Sequence, residues 1–340
     1  MKNILYILLF AIFFSACKKN DNDSDNNNGC PVNIEIQETF DDLPHRVAVF
    51  FKAEDCNGLP LADLTKDDFD LFENTNNISS FEADARIIPN KQIFAYNTLL
   101  LLDLSGSILE SDNLDVLKEA SRSFIDRVLP SETTDPNFEA IKMEIWWFDG
   151  STAIHQLVAP SSNPTLLKAG ITAITPNISS DNSTNLHGAI IQGAEKVRTR
   201  LQQYLNADSI NIAATSLVLF TDGTDQASRE TEEEARNAIA NAPSDISFYA
   251  IGLGGEIDKE MLQTIGRNGF VETIDITNLT GKFNEIAKLV RDEANSHYYL
   301  GYCSPKRAGQ HEITIRIKGR SGEGIANFDA SDFVGGDCPL

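Results

Sequence analysis

The sequence predicts an α/β protein, with a doubly wound, mostly parallel sheet inserted in a small all-β sandwich. Two changes of hydrophobic period carry that reading. From Val32 to about Asn90 the apolar runs are short and rich in β-branched or aromatic residues, whereas from Asn97 to about Asn295 apolar strands alternate with helical stretches. After Asn295 the strands return. Strands alternating with helices imply a parallel sheet covered on both faces. The two β-rich ends, about 60 and about 44 residues long, are each too small for a core of their own. Together they would make one ordinary sandwich.

The first sixteen residues stand outside that fold. Lys2 supplies a positive charge, Ile4 to Phe14 an apolar run, and Phe14-Ser15-Ala16-Cys17 a small-residue cleavage site. The apolar run is too short to span a bilayer. This start resembles a bacterial lipoprotein signal, which implies that Cys17 receives the lipid and becomes the mature N-terminus. Residues 17–29 follow as a tether: KKNDNDSDNNNG has no apolar side chain with which to offset the entropy of ordering. The acidic run behind a lipidated cysteine resembles the surface-export signals of Bacteroidetes lipoproteins, implying an outer-membrane anchor at the cell surface, with a periplasm-facing one as the alternative.

Residues 30–93 form the first part of the sandwich, read from VNIEIQ, RVAVFF, DFDLFE and ISSFEADARII, with Asn-Gly, Leu-Pro and Asn-Thr-Asn-Asn as turn signals between them. Residues 94–296 form the α/β region. Its strands are expected near 97–103, 140–148, 152–158, 215–221, 246–252 and 269–274, and its helices near 113–128, 185–205, 229–241, 258–266 and 279–295. Residues 297–340 complete the sandwich through HYYLGY, HEITIRIK and ANFDA. Four cysteines remain after Cys17, an even number that in an exported chain suggests two disulfides. The pairing Cys30 with Cys56 and Cys303 with Cys338 keeps each bridge within one β-rich segment. No C-x-x-C pair is present, which argues against zinc and thioredoxin-type chemistry.

Composition narrows the partners. Lys and Arg total 28 against 50 Asp and Glu, a formal charge of −22, so a nucleic-acid groove would have to oppose the field of the whole molecule. Cations suit it better. The stretch NTLLLLDLSGS ends an apolar strand at Asp103 and follows it with Ser105 and Ser107; SLVLFTDG ends another at Asp222; Thr184 opens a long helical stretch. In open α/β sheets, ligands gather beyond the carboxyl ends of the strands. Two carboxylates and three hydroxyls are what a hard divalent cation accepts.

The pattern Asp-x-Ser-x-Ser, then a distant Thr and a distant Asp, resembles the metal-ion-dependent adhesion site of the von Willebrand factor type A family, and here it is complete in Asp103, Ser105, Ser107, Thr184 and Asp222. TNLHGA and FYAIGLG add to the resemblance, which covers about 200 residues. It implies Mg2+, with Ca2+ or Mn2+ as alternatives, touched by Ser105, Ser107 and Thr184 and held through water by Asp103 and Asp222. It also implies a coordination position left for a carboxylate from a protein or glycan partner. The function expected is therefore a lipid-anchored, cation-dependent binding module, with no nucleic-acid partner. The alternative is a structural or assembly subunit of an envelope complex in which the metal braces a fixed contact. Glu110, Ser111 and Asp112 stand where integrin β-subunits carry adjacent acidic residues for a second ion, which weakens the case for one here.

Other motifs yield less. IGLGG at 251–255 lacks full dinucleotide-loop spacing and reads as a connecting turn. The five histidines show no metal-ligand spacing, and His187 is expected to pack or face solvent on its helix. Ser105 and Ser107 have no Gly-x-Ser-x-Gly elbow and no motif-placed His to activate them, so no enzyme is expected. Trp146 and Trp147 lie on opposite faces of a strand, placing at least one in the core.

Overall fold

The computed structural model describes residues 30–78, 86–87, 94–130, 138–207 and 212–336. The signal, the tether, Cys17, Cys338 and most of ISSFEADARII lie outside the described residues.

The chain begins with strands β1 (Asn33–Asp42), β2 (Arg46–Glu54), β3 (Phe69–Glu73), β4 (Asn76–Asn77) and β5 (Arg86–Ile87). Next come β6 (Phe94–Asp103), α1 (Gly106–Leu109), α2 (Asn113–Val128), β7 (Ile141–Phe148), β8 (His155–Ser161), α3 (Pro164–Thr172), α4 (Leu186–Leu205) and β9 (Ile212–Thr221). They lead to α5 (Glu232–Ala240), β10 (Ile246–Leu253), α6 (Lys259–Ile265), β11 (Gly269–Thr273) and α7 (Leu279–Ala294), and then to β12 (His297–Cys303), β13 (Gln310–Ile317) and β14 (Gly324–Asp329).

The central sheet has the order β11-β10-β9-β6-β7-β8, parallel except for its edge strand β8, which runs antiparallel to β7. Every residue of β6, β9 and β10 is buried, as strands covered on both faces require. One face packs on α2, α3 and α7 through Phe124, Leu167 and Phe283, the other on α4, α5 and α6 through Ile190, Ile239 and Leu262. The expected α/β class is the one found. Two helices were not expected from the sequence: α1, a single four-residue turn, and α3. The short, weakly periodic apolar set of α3 hid it, although Asn163 capping Thr165 and Leu166 ahead of Pro164 is a recognisable start signal.

Both ends of the chain enter the same two antiparallel sheets, β1-β2-β12-β5 and β14-β13-β3-β4. β12 pairs along β2 and β13 along β3, and Val49, Phe51, Phe69, Tyr298, Ile313 and Phe328 share one core between the sheets. Cys30 and Cys56 form a disulfide with their Cα atoms 5.8 Å apart, closing β1 onto the turn after β2. Cys303 is disulfide-bonded as well, at the end of β12. Among the described residues no helix is long and apolar enough to cross a membrane.

The junction between the two regions lies at the start of β6. Phe94 packs against Phe50 of β2 and His297 of β12 with the rings tilted, their centroids 5.9 and 5.1 Å away. Lys52 of β2 joins Glu54 at 2.8 Å and Glu293, in the last turn of α7, at 2.7 Å. From there β6 runs about 30 Å to its other end at Asp103.

Candidate functional site

Asp103 ends β6 fully buried, its Oδ1 accepting the Ser105 amide at 3.0 Å and its Oδ2 the Thr221 hydroxyl at 2.6 Å. A strand that stops on an aspartate leaves the carboxylate facing the crevice at the strand ends, where the chain turns into α1. The hydroxyls of Ser105 and Ser107 lie 3.2 Å apart, and the Ser107 hydroxyl donates to Asp222 Oδ1 at 2.9 Å. Asp222 follows the end of β9, the neighbour of β6 in the sheet.

Thr184 sits just ahead of α4 and is buried. The side chain of Asn185, not that of Thr184, caps this helix by accepting the Gly188 amide, which leaves the Thr184 hydroxyl free of capping duty. The Thr184 carbonyl accepts the Gln226 and Ala227 amides at 2.8 and 3.0 Å, which draws the Asp222 loop to it. A β-carbon on Gly223 would lie 3.9 Å from Thr184 Oγ1. The fold thus gathers Asp103, Ser105, Ser107, Thr184 and Asp222 on one rim from three separate stretches of chain.

The electrostatics of the rim are one-sided. Burial, with repulsion from Asp222, pushes the Asp103 carboxyl up to about 7, against the help of Thr221 and Ser105. Burial raises Asp222 as well, and Glu256 adds to it while the Ser107 hydrogen bond opposes. No Lys, Arg or His forms an ion pair with either aspartate among the described residues. Nor do those residues hold a group of three or more His, Cys, Asp or Glu arranged around a metal. A hydroxyl-rich set with only two carboxylates is a different donor class, made of oxygens alone, which is what a hard divalent cation accepts.

Sequence reasoning missed the supports of this rim. Thr221 donates to Asp103 and accepts the Gly223 amide at 3.2 Å, so one hydroxyl ties both aspartate-bearing loops together. Asp149, at the end of β7 and 2% exposed, accepts the Ser151 amide at 2.8 Å and the Ser179 hydroxyl at 2.5 Å, while its carbonyl accepts the Asn185 amide at 2.9 Å. Those bonds pin the 179–185 loop that carries Thr184. Gly150 leaves room for that loop: a β-carbon on it would fall 1.8 Å from Ser183 Oγ and 2.3 Å from Asp181 Oδ1, so both side chains would have to move. The signal was available: Asp149 ends an apolar strand just as Asp103 does.

The remaining candidates fall where packing puts them. His187 turns Nδ1 to the Glu230 carbonyl at 3.1 Å. Trp147 is in the core and Trp146 lies against it on the other face. IGLGG spans the last three residues of β10 and the turn after it, where Gly254 has φ +90, a conformation that favours glycine. Glu110 accepts a hydrogen bond from Asn182 at 2.6 Å, an internal contact.

A scan of protein-family models finds no match for the chain, and a search of curated proteins finds none either. Among solved structures it is similar to proximal thread matrix protein 1 of the mussel byssus, at 18% identity over 58% of this chain and 49% of that one, with a TM-score of 0.47. The chain therefore spans about half the length of that protein, one structure of which has zinc in its MIDAS motif. It is similar as well to a von Willebrand factor type A protein from Catenulispora acidiphila, at 12% identity over 90% and 74% of the two chains, with a TM-score of 0.47. A third is the vWF domain of the type V pili tip protein Mfa5 from Porphyromonas gingivalis, at 12% identity over 58% and 95%, with a TM-score of 0.42.

Proposed function

We propose that the protein is a cation-dependent binding module of the von Willebrand factor type A kind, anchored in the outer membrane by a lipid on Cys17 and displayed at the cell surface. Magnesium is the cation that fits best. Ser105, Ser107 and Thr184 offer it hydroxyl oxygens, while Asp103 and Asp222 offer the charge that balances it, in part through water. A carboxylate from a protein or glycan partner completes the shell, and the protein works by recognition and not by catalysis.

One observation supports this reading above the rest: two carboxylates, both shifted up by burial, converge on a hydroxyl-lined rim where no basic side chain among the described residues compensates them. Buried charge is retained at that cost when something else neutralises it. The test is calorimetric titration of the full chain with magnesium. Binding is expected for the wild type and none for Asp103→Ala, with both proteins equally folded by circular dichroism. Equal binding by the two would end the metal reading. A metal that binds but cannot be removed by chelator would favour the fixed structural contact instead.

A further inference from the structure

Beside the rim lies a pocket of about 430 Å3 that begins at Ser107 and Asp222 and extends away from them. Its apolar wall is Leu253, Ile274 and Ile276, and its other charged members are Glu256 and Asp275. Ile274 is 84% exposed, more than any other large apolar side chain among the described residues. It stands on a tightly bonded stretch of backbone. The Thr273 hydroxyl donates to the Asp275 carbonyl at 2.9 Å, and Asp275 Oδ1 accepts the Thr277 amide at 2.9 Å, so the backbone on either side is fixed. The Gly254 amide donates to the Thr273 carbonyl at 2.8 Å, tying the turn after β10 to the same loop.

Neither Glu256 nor Asp275 enters an ion pair among the described residues, and no Lys, Arg or His lines the pocket. A cation on the rim would balance Asp222 but leave these two carboxylates. An apolar occupant would bury them without a partner, and an acidic one would be repelled. A side chain with several methylenes and a positive head satisfies both surfaces, its stem along Ile274 and Ile276 and its head at Glu256 and Asp275.

We infer that this pocket is a subsite for a lysine or arginine of the partner, placed one or two residues from the carboxylate that reaches the rim. The inference rests on the cation reading above. Since Ser107 and Asp222 border both sites, the spacing corresponds to about 3.5–7 Å of extended chain. Specificity then comes from the pair of charges, acid at the rim and base in the pocket, and not from the carboxylate alone.

The experiment titrates the full chain with dye-labelled, end-blocked hexapeptides carrying Asp-Lys, Asp-Leu, Asp-Glu, Asn-Lys or Asn-Leu at their centre, each pair both adjacent and parted by one glycine, in magnesium and in chelator. Asp-Lys is expected to bind about five-fold or more tightly than Asp-Leu and Asp-Glu in magnesium, the scale of one good charge pair. The variant Glu256→Lys, at an exposed position that leaves the Asp275 turn intact, is expected to lose the preference for Asp-Lys while still binding magnesium by calorimetry. Magnesium binding with no preference for Asp-Lys, or with no binding of any peptide, would overturn the subsite and leave the metal reading standing. If magnesium itself does not bind, the metal reading fails, and the Asn-Lys against Asn-Leu comparison decides the subsite alone: equal binding overturns it.

Discussion

Each end of β6 has a buried acidic cluster, and the two are neutralised in opposite ways. At the sandwich end, Glu293 and Glu54 share the Lys52 ammonium. Burial alone would lower the Lys52 pKa, but the two carboxylates outweigh it and hold the group charged. His297 beside them is kept neutral, its pKa lowered to about 3 by burial and by Lys52. At the rim end, Asp103 and Asp222 face each other and no cation pairs with them among the described residues. The first cluster is complete within the chain and serves to join two regions. The second is left open, which is what a binding site requires.

The largest expected effect breaks the closed cluster. Lys52→Met leaves Glu293 buried without its counter-ion and should destabilise the protein by about 3–5 kcal/mol in chemical denaturation, whereas Lys52→Met with Glu293→Leu should recover most of that loss. Asp103→Asn at the open cluster should behave in the reverse way. It removes a repulsion, so the metal-free protein should keep or gain stability while losing the stabilisation that magnesium confers. Destabilisation of the metal-free protein comparable to that of Lys52→Met would mean that the rim is internally satisfied too.

A smaller effect tests how the rim is held. Asp149→Ala should release the 179–185 loop and weaken magnesium binding about 10- to 100-fold by calorimetry, the cost of losing a group that orients ligands without touching the metal. Unchanged affinity would show that Thr184 needs no such support, or takes no part.

Per pH unit the smallest effect is a pair of slopes with opposite signs, each about 1.4 kcal/mol at most. His297 is depressed, so its contribution is present above pH 6.5 and declines as pH falls from there toward about 3. Asp103 is raised, so in metal-free protein its contribution is present below about pH 3.8 and declines as pH rises through about 7. His297→Gln should flatten the first slope and Asp103→Asn the second, read by denaturation across pH in chelator. Magnesium should abolish the second slope and leave the first.

Much of this organisation was legible in the residues themselves. The runs LLLLD and LVLFTD announce buried strands that end in carboxylates, because an unbroken apolar stretch has to be covered on both sides and its first polar residue falls at the rim. Asp103, Ser105 and Ser107 lie within five positions, so their convergence needs only a local turn. The change from a period of two to 3.6 and back marked the region between the two halves of the sandwich.

Only the tertiary structure decided which distant groups meet. Lys52 and Glu293 lie 241 positions apart and look like ordinary surface charges in sequence, yet pairing of β2 with β12 carries them to one buried point. Thr221 reads as one more β-branched strand residue until β9 is set beside β6, when its hydroxyl reaches Asp103. Ile274 reads as the end of a strand, and only the closed turn at Asp275 shows that its side chain stands in water beside two carboxylates. Sequence records periodicity and neighbours along the chain, whereas the charge a carboxylate feels depends on what the fold brings within a few ångströms of it.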